Sequence, residues 1–267
     1  MLPIYKAISF QGIIEKGGRT KPWVVLVDVN GTPVPYVVKL FKKEEIDEGE
    51  KVVNEVMGNA IAREFDLPVP KAALIEMDEY FVSSIFNYEA LEILENRDKR
   101  IKFGCELLEG YYQYVPQSTE ASQLREIIDV DTVFGFDNLI RNRDRGAMKP
   151  NLLINGECVY LIDHELAFQL NDKTIEEVLR LNWDDKFYLY HIFYKVLKNS
   201  IELKKKTYFE TFDEYLKLLN VNALFPYLQQ LESLGHPIVK HLIVVKYLKE
   251  IKNFRANFVR LLKGIIV

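Results

Sequence analysis

Asp144, Asn151 and Asp163 set two carboxylates and a carboxamide around the apolar runs Leu152-Leu153-Ile154 and Val159-Tyr160-Leu161-Ile162, which read as buried strands. A turn at Asn155-Gly156 would pair the runs as a hairpin and bring Asn151 and Asp163 to one end of it. An oxygen pair of that kind can hold a hard cation such as Mg²⁺, which takes one or two carboxylates plus phosphate oxygens. Asp144, a few residues upstream, would face the same pocket as a base or an orienting group. Phosphoryl transfer uses such a set: a metal-holding Asp, a metal-holding Asn, and an Asp that receives the nucleophile's proton. Taken singly, an Asp or Asn beside a strand is a turn or cap residue. Their fixed order, and partners earlier in the chain, give the three weight as a group.

The first of those partners is Lys39, in the alternating run Tyr36-Val37-Val38-Lys39-Leu40-Phe41. A cation in a strand is costly unless something negative receives it. Glu55, in the helical pattern of residues 54–62, is one candidate receiver, and the α/β-phosphates of ATP are another. Between the first two strands, Lys16-Gly17-Gly18-Arg19-Thr20 offers backbone N–H groups that can cover phosphates. A Gly-Gly pair is also an ordinary hairpin turn.

The elements that must position these residues follow from pattern. Residues 4–14, 23–29 and 34–41 are rich in β-branched and aromatic residues, and Asn30-Gly31 marks a tight hairpin between the last two. A helix is expected through residues 54–65, ending before Pro68-Val69-Pro70, and two short strands at residues 72–76 and 80–85. From about Glu89 the spacing becomes helical, over residues 90–109 and 122–128, and again after the hairpin almost to the end. In the last helix Leu242, Val245, Leu248, Ile251, Phe254, Phe258 and Leu261 recur at intervals of three or four. The expected fold is α+β, with a small β-rich N-lobe (residues 1–86) and a larger helical C-lobe (residues 87–267).

Composition narrows the class. The 267 residues, 48% hydrophobic and 28% charged, suit an ordinary globular protein. Two cysteines, Cys105 and Cys158, are too few for a disulfide framework and read as buried packing residues of a cytoplasmic protein. The N-terminus shows no secretory pattern, and no run is long and apolar enough to span a bilayer. Net charge is −4, yet residues 186–267 carry 14 Lys+Arg against 6 Asp+Glu. That basic end can dock a partner protein; without an aromatic-interleaved basic motif it does not read as a nucleic-acid site. His164, His191, His236 and His241 lack metal-ligand spacing and read as structural, and the aromatic run of residues 183–194 reads as helix packing.

The opening strands with Lys39, the helix with Glu55, and the sequence Asp137-Asn138-Leu139-Ile140-Arg141-Asn142-Arg143-Asp144-Arg145 ahead of Ile162-Asp163-His164 resemble the protein-kinase-like superfamily. Within it the chain is most similar to the HipA-like kinases, with phosphatidylinositol 3-/4-kinases more distant. The motifs are an N-x-D-R element at Asn142-Arg143-Asp144-Arg145 and an I-D-H element at Ile162-Asp163-His164, and the resemblance covers about residues 10–170. It implies a two-lobed kinase fold using ATP and Mg²⁺, with phosphate passed to a Ser/Thr hydroxyl of a protein, the chain itself included, or to a small molecule. It makes Asp144 the catalytic base and Asn151 and Asp163 the metal ligands. It gives Lys39, paired by Glu55, to the α/β-phosphates and Gly17, Gly18 and Thr20 to phosphate cover. Ser83, Ser84, Ile85 and Phe86 become the hinge that meets adenine through its backbone, and Arg145 buttresses the loop.

The chain departs from the pattern in three places. Asn151 follows Asp144 by seven residues, where protein kinases have five. Gly146 stands where relatives often carry histidine, and Asp-Phe-Gly becomes Asp163-His164-Glu165. The chain is also shorter than full-length HipA-type toxins, so an N-terminal subdomain and a repressor partner are expected to be absent. The alternative is a pseudokinase, a non-catalytic nucleotide- and partner-binding module, but such proteins commonly lose one of the Lys, Asp and Asp that remain here as Lys39, Asp144 and Asp163.

Overall fold

The structure is a computed structural model that describes residues 1–15, 21–115 and 123–267, all but Lys204 with their side chains. Gly17, Gly18 and Thr20 of the expected phosphate loop, and Ser122 at the start of an expected helix, lie outside the described residues. The architecture is α+β, and the chain forms two compact units: Met1–Met57 with Pro70–Glu109 and Phe225–Val239, and Gly58–Val69 with Gly110–Leu224 and Lys240–Val267.

The first unit is built on a closed barrel in the order β1-β2-β3-β5-β4. Its strands are β1 (Ile4–Ile13), β2 (Trp23–Val29), β3 (Thr32–Lys39), β4 (Ala72–Glu76) and β5 (Lys102–Glu106). Alternation decides which residues point inward: Trp23, Val25 and Val27 from β2 and Tyr36 and Val38 from β3 are buried, while Val24, Leu26 and Val37 are half-buried. Asn30 and Gly31 join β2 to β3 with φ of 53° and 84°, as a two-residue hairpin turn of this twist requires. The Gly31 N–H donates to Asp28 Oδ1 at 2.6 Å. Helices α1 (Lys43–Asp47) and α2 (Lys51–Glu64) follow the sheet's third strand.

Two expectations fail here. Residues 80–85 are not a strand: α3 (Glu79–Ser83) begins where the Asp78 carboxylate accepts the Phe81 N–H at 2.9 Å, and Phe81 and Ile85, four apart, are the buried residues. Nor is there one helix over residues 90–109. The short α4 (Tyr88–Glu95) is capped at its start by Asn87 and closes at Asn96, and β5 then pairs antiparallel with both β3 and β4. Gly104 permits that pairing, since a Cβ there would come within 2.8 Å of the Ile75 side chain.

The second unit centres on α5 (Val130–Leu139), buried along most of its length. Phe136 and Phe65 pack together at 5.9 Å between ring centroids, Phe212 stacks on Phe65 at 5.3 Å, and Phe258 stacks on Phe212 at 5.9 Å. A Cβ on Gly135 would lie 2.7 Å from the Phe212 ring, so α5 can approach that ring only with glycine there. Residues 123–126 make a single 3-10 turn rather than part of a helix. The expected last helix divides at Phe254 into Val239–Asn253 and Arg255–Ile265, and Leu242 and Phe254 are exposed rather than part of the buried stripe. Trp183 packs in a loop and residues 187–190 form a 3-10 turn, so the aromatic run packs without a regular helix. Cys105 is half-buried and Cys158 exposed, which corrects their reading as core residues.

Candidate active site

The small sheet of the second unit, β6 (Tyr112–Gln113), β7 (Leu152–Ile154) and β8 (Val159–Leu161), carries the site. Asn155 Oδ1 accepts from the N–H groups of Glu157 and Cys158, and Gly156 takes a φ of 94°, which closes the turn between β7 and β8. With Leu152 opposite Leu161 and the Ile162 N–H donating to Asn151 O at 3.1 Å, Asn151 and Asp163 flank the same hairpin end. Both adopt left-handed backbone, with φ of 51° and 65°, a region that short polar side chains tolerate best among non-glycine residues. Gly58 on α2 gives the next residue room, since a Cβ there would stand 2.4 Å from the His164 Cβ.

Asp144 meets this end directly. The Asn151 Nδ2 group donates to Asp144 Oδ2 at 3.0 Å and to the Asp144 carbonyl at 2.9 Å. With Nδ2 so engaged, the other carboxamide atom, Oδ1, is buried and has no hydrogen-bond partner among the described residues. A buried acceptor left unsatisfied costs about 1–3 kcal/mol. A hard cation would relieve that cost, and Asp163 at the same hairpin end supplies the negative charge such an ion needs. The donor set therefore fits Mg²⁺. The two extra residues between Asp144 and Asn151 do not separate them; they enlarge the exposed part of the loop around Ala147 and Met148.

Lys149, which the sequence reading passed over, bridges both acids. Its ammonium donates to Asp163 Oδ2 at 2.8 Å and to Asp144 Oδ2 at 3.0 Å. Burial alone would lower its pKa, but Asp163 and then Asp144 outweigh that effect and raise it.

Beneath the loop lies a fully buried network centred on Asp137 of α5. Arg145 Nε donates to Asp137 Oδ2 at 2.6 Å, Asn142 Nδ2 to Oδ1 at 2.9 Å, and His191 Nε2 meets Oδ2 at 3.0 Å. His191 Nδ1 accepts the Phe193 N–H, which fixes the tautomer that donates to Asp137. Burial alone would raise the Asp137 carboxyl, but Arg145 and His191 outweigh it and hold it down at about 2. For His191 burial wins over Asp137 and the pKa is lowered, so the ring is neutral near pH 7. Arg145 also donates to the Asn151 carbonyl at 2.7 Å and so ties both ends of the loop to α5. All four histidines are buried. Asp137 is a polar residue on the buried face of Val130–Leu139, the one signal that could have exposed its role.

In the first unit Lys39, the last residue of β3, forms an ion pair with Glu55 of α2, and Glu55 is buried. Ser83, Ser84, Ile85 and Phe86 are not an extended hinge. Ser83 and Ser84 close α3, with their hydroxyls donating to the Tyr80 and Phe81 carbonyls, and the N–H groups of Ser84 and Ile85 are spent within the same turn. Phe86 is exposed. After β5 regular structure ends at residues 107–108, where the Leu107 N–H donates to the Pro35 carbonyl at 2.9 Å.

The sequence pattern of the HipA-like kinases matches residues 13–222, and the chain belongs to that family. Among solved structures it is similar to the Helicobacter pylori proinflammatory kinase CtkA, at 14% sequence identity, covering 96% of this chain and 98% of that one, with a TM-score of 0.47. No curated protein sequence matches it. Phosphoryl transfer is thus the class of chemistry to which the chain is assigned. Among the described residues no helix is long and apolar enough to cross a membrane.

Proposed function

We propose that the chain is an ATP- and Mg²⁺-dependent kinase that passes the γ-phosphoryl group to a Ser/Thr hydroxyl of a protein, its own chain included. The observation that carries this reading is the Asn151 carboxamide, whose Nδ2 is held by Asp144 and whose buried Oδ1 is left for a cation. Asn151 and Asp163 would hold a Mg²⁺ ion, which would supply positive charge against the phosphates. Asp144 accepts the acceptor's hydroxyl proton as the new O–P bond forms and the bond between the γ-phosphorus and the bridging oxygen breaks, releasing ADP. Lys39, kept in place by Glu55, binds the α/β-phosphates of ATP, as in a kinase of two lobes. The N–H groups of Ser84 and Ile85 are engaged within their own turn, so those two do not read adenine.

Lys39→Met tests the phosphate contact. Mg·ATP should raise the melting temperature of the wild type and of the variant unequally, with most of the gain lost in the variant, and phosphate transfer should fall. Equal stabilisation together with unchanged transfer would remove Lys39 from the site. If nucleotide stabilises the protein but no transfer to any hydroxyl occurs, a nucleotide-binding pseudokinase with a partner on its basic C-terminal helices is the better reading.

A further inference from the structure

Lys149 is a charged group at the site to which the proposed mechanism gives no work. Lys149 sits at the exposed rim of the loop, between the buried residues Arg145 and Pro150, and spans the two carboxylates that the proposal gives to proton transfer and to the metal. Its ammonium takes a lone pair of Asp163 Oδ2 at 2.8 Å, and a cation bound at Asp163 and at Asn151 Oδ1, which has no partner among the described residues, would compete for the same carboxylate.

We propose that Lys149 is a competing internal cation: it occupies the metal carboxylate in the nucleotide-free protein and keeps free divalent ions out until the metal arrives with nucleotide phosphates. The inference rests on the assignment of Asp163 and Asn151 as metal ligands. Its physical basis is charge. Two carboxylates a few ångströms apart attract any cation, and an ammonium tethered on a four-carbon stem is present at high local concentration without cost in translational freedom. A bare Mg²⁺ must displace it and shed water as well. A metal already carried by ATP brings negative oxygens toward which the displaced ammonium can turn. Nearly half of the Lys149 side chain is exposed, so it can leave without opening the core. The consequence is an order of binding: metal and nucleotide enter together.

The test uses Mn²⁺ alone as the probe, read by electron paramagnetic resonance on the nucleotide-free full chain. Lys149→Met should bind Mn²⁺ about tenfold more tightly than the wild type, the size expected when one half-exposed positive charge is removed beside the ion. Lys149→Gln, which removes the same charge but keeps polarity, should do likewise and guards against a packing effect of Met. The gain should vanish when Asp163→Asn is added to either variant. Unchanged or weaker Mn²⁺ binding in both variants would overturn the proposal, and so would a gain that survives Asp163→Asn, since the ion would then sit elsewhere. Transfer by the wild type, assayed separately, reports on the kinase reading: an active wild type whose variants gain no Mn²⁺ affinity refutes the role of Lys149 and leaves the kinase intact.

Discussion

The loop from Asp144 to Asn151 lies between two carboxylate–cation groups that share chemistry and differ in exposure. Below it, Asp137 meets Arg145 and His191 with no access to water. Above it, Asp144 and Asp163 share Lys149, which is nearly half exposed. A charge removed from water needs its partners permanently, because breaking such a pair leaves an uncompensated ion in the interior. A charge at the rim gains little from its partner and can exchange it for another. The buried group therefore behaves as scaffold that fixes where Asp144 and Asn151 stand, while the exposed group is free to trade an ammonium for a metal and phosphates.

The contrast breaks most visibly at Asp137. Asp137→Ala leaves the Arg145 guanidinium buried without its carboxylate and should cost ~3–5 kcal/mol in urea-induced unfolding, a large share of the total stability of a domain. A loss below about 1 kcal/mol would mean that the network does not anchor the loop. Removing the exposed Lys149 should leave unfolding almost unchanged.

A smaller effect sharpens the same comparison in the first unit. Lys102 is buried, and its ammonium is held by the carbonyls of Asp98 and Arg100 rather than by a direct carboxylate contact. Burial lowers its pKa from 10.5 to about 8. Between those values the unfolded chain binds a proton that the folded chain has released, so this group's contribution to stability rises with pH from about 8 to 10.5, and below pH 8 the native state carries the full cost of the buried charge. Unfolding followed across that window should show a slope difference on the order of 1 kcal/mol per pH unit between the wild type and Lys102→Met. Identical slopes would show that the two carbonyls stabilise the charged form as well as water does.

Local code made part of this molecule legible. Asn30-Gly31 announces its hairpin because few residues other than glycine and asparagine accept the backbone that a two-residue turn needs. At Asn155-Gly156 only the glycine takes a positive φ, and the Asn155 side chain closes a four-residue turn that brings Asn151 and Asp163 to one end. Lys39 and Glu55 read as partners because each is costly in an apolar setting without the other. What escaped depended on distant contacts or on weak signals. Strand β5, Lys-Phe-Gly-Cys-Glu, has neither length nor β-branched residues and becomes a strand only through its neighbours in the barrel. Residues 80–85 have strand-like composition, yet the Asp78 cap and the pairing of Phe81 with Ile85 favour a helical turn. Lys149 and Asp137 look like ordinary charges in sequence, since the carboxylates and cations that define them arrive from other elements.

The central claim divides the work of two acids, and calorimetric titration of Mg·ATP into Asp163→Asn and Asp144→Asn, followed by a transfer assay on each, tests it directly. Asp163→Asn should bind Mg·ATP at least about tenfold more weakly, because a charge is lost from the metal's ligand set. Asp144→Asn should weaken Mg·ATP binding far less than Asp163→Asn does, because Asp144 holds Asn151 without being a metal ligand, and should transfer phosphate ~10²–10⁴-fold more slowly, the usual contribution of a general base. Equal loss of nucleotide binding in the two variants, or wild-type transfer by Asp144→Asn, would contradict the account.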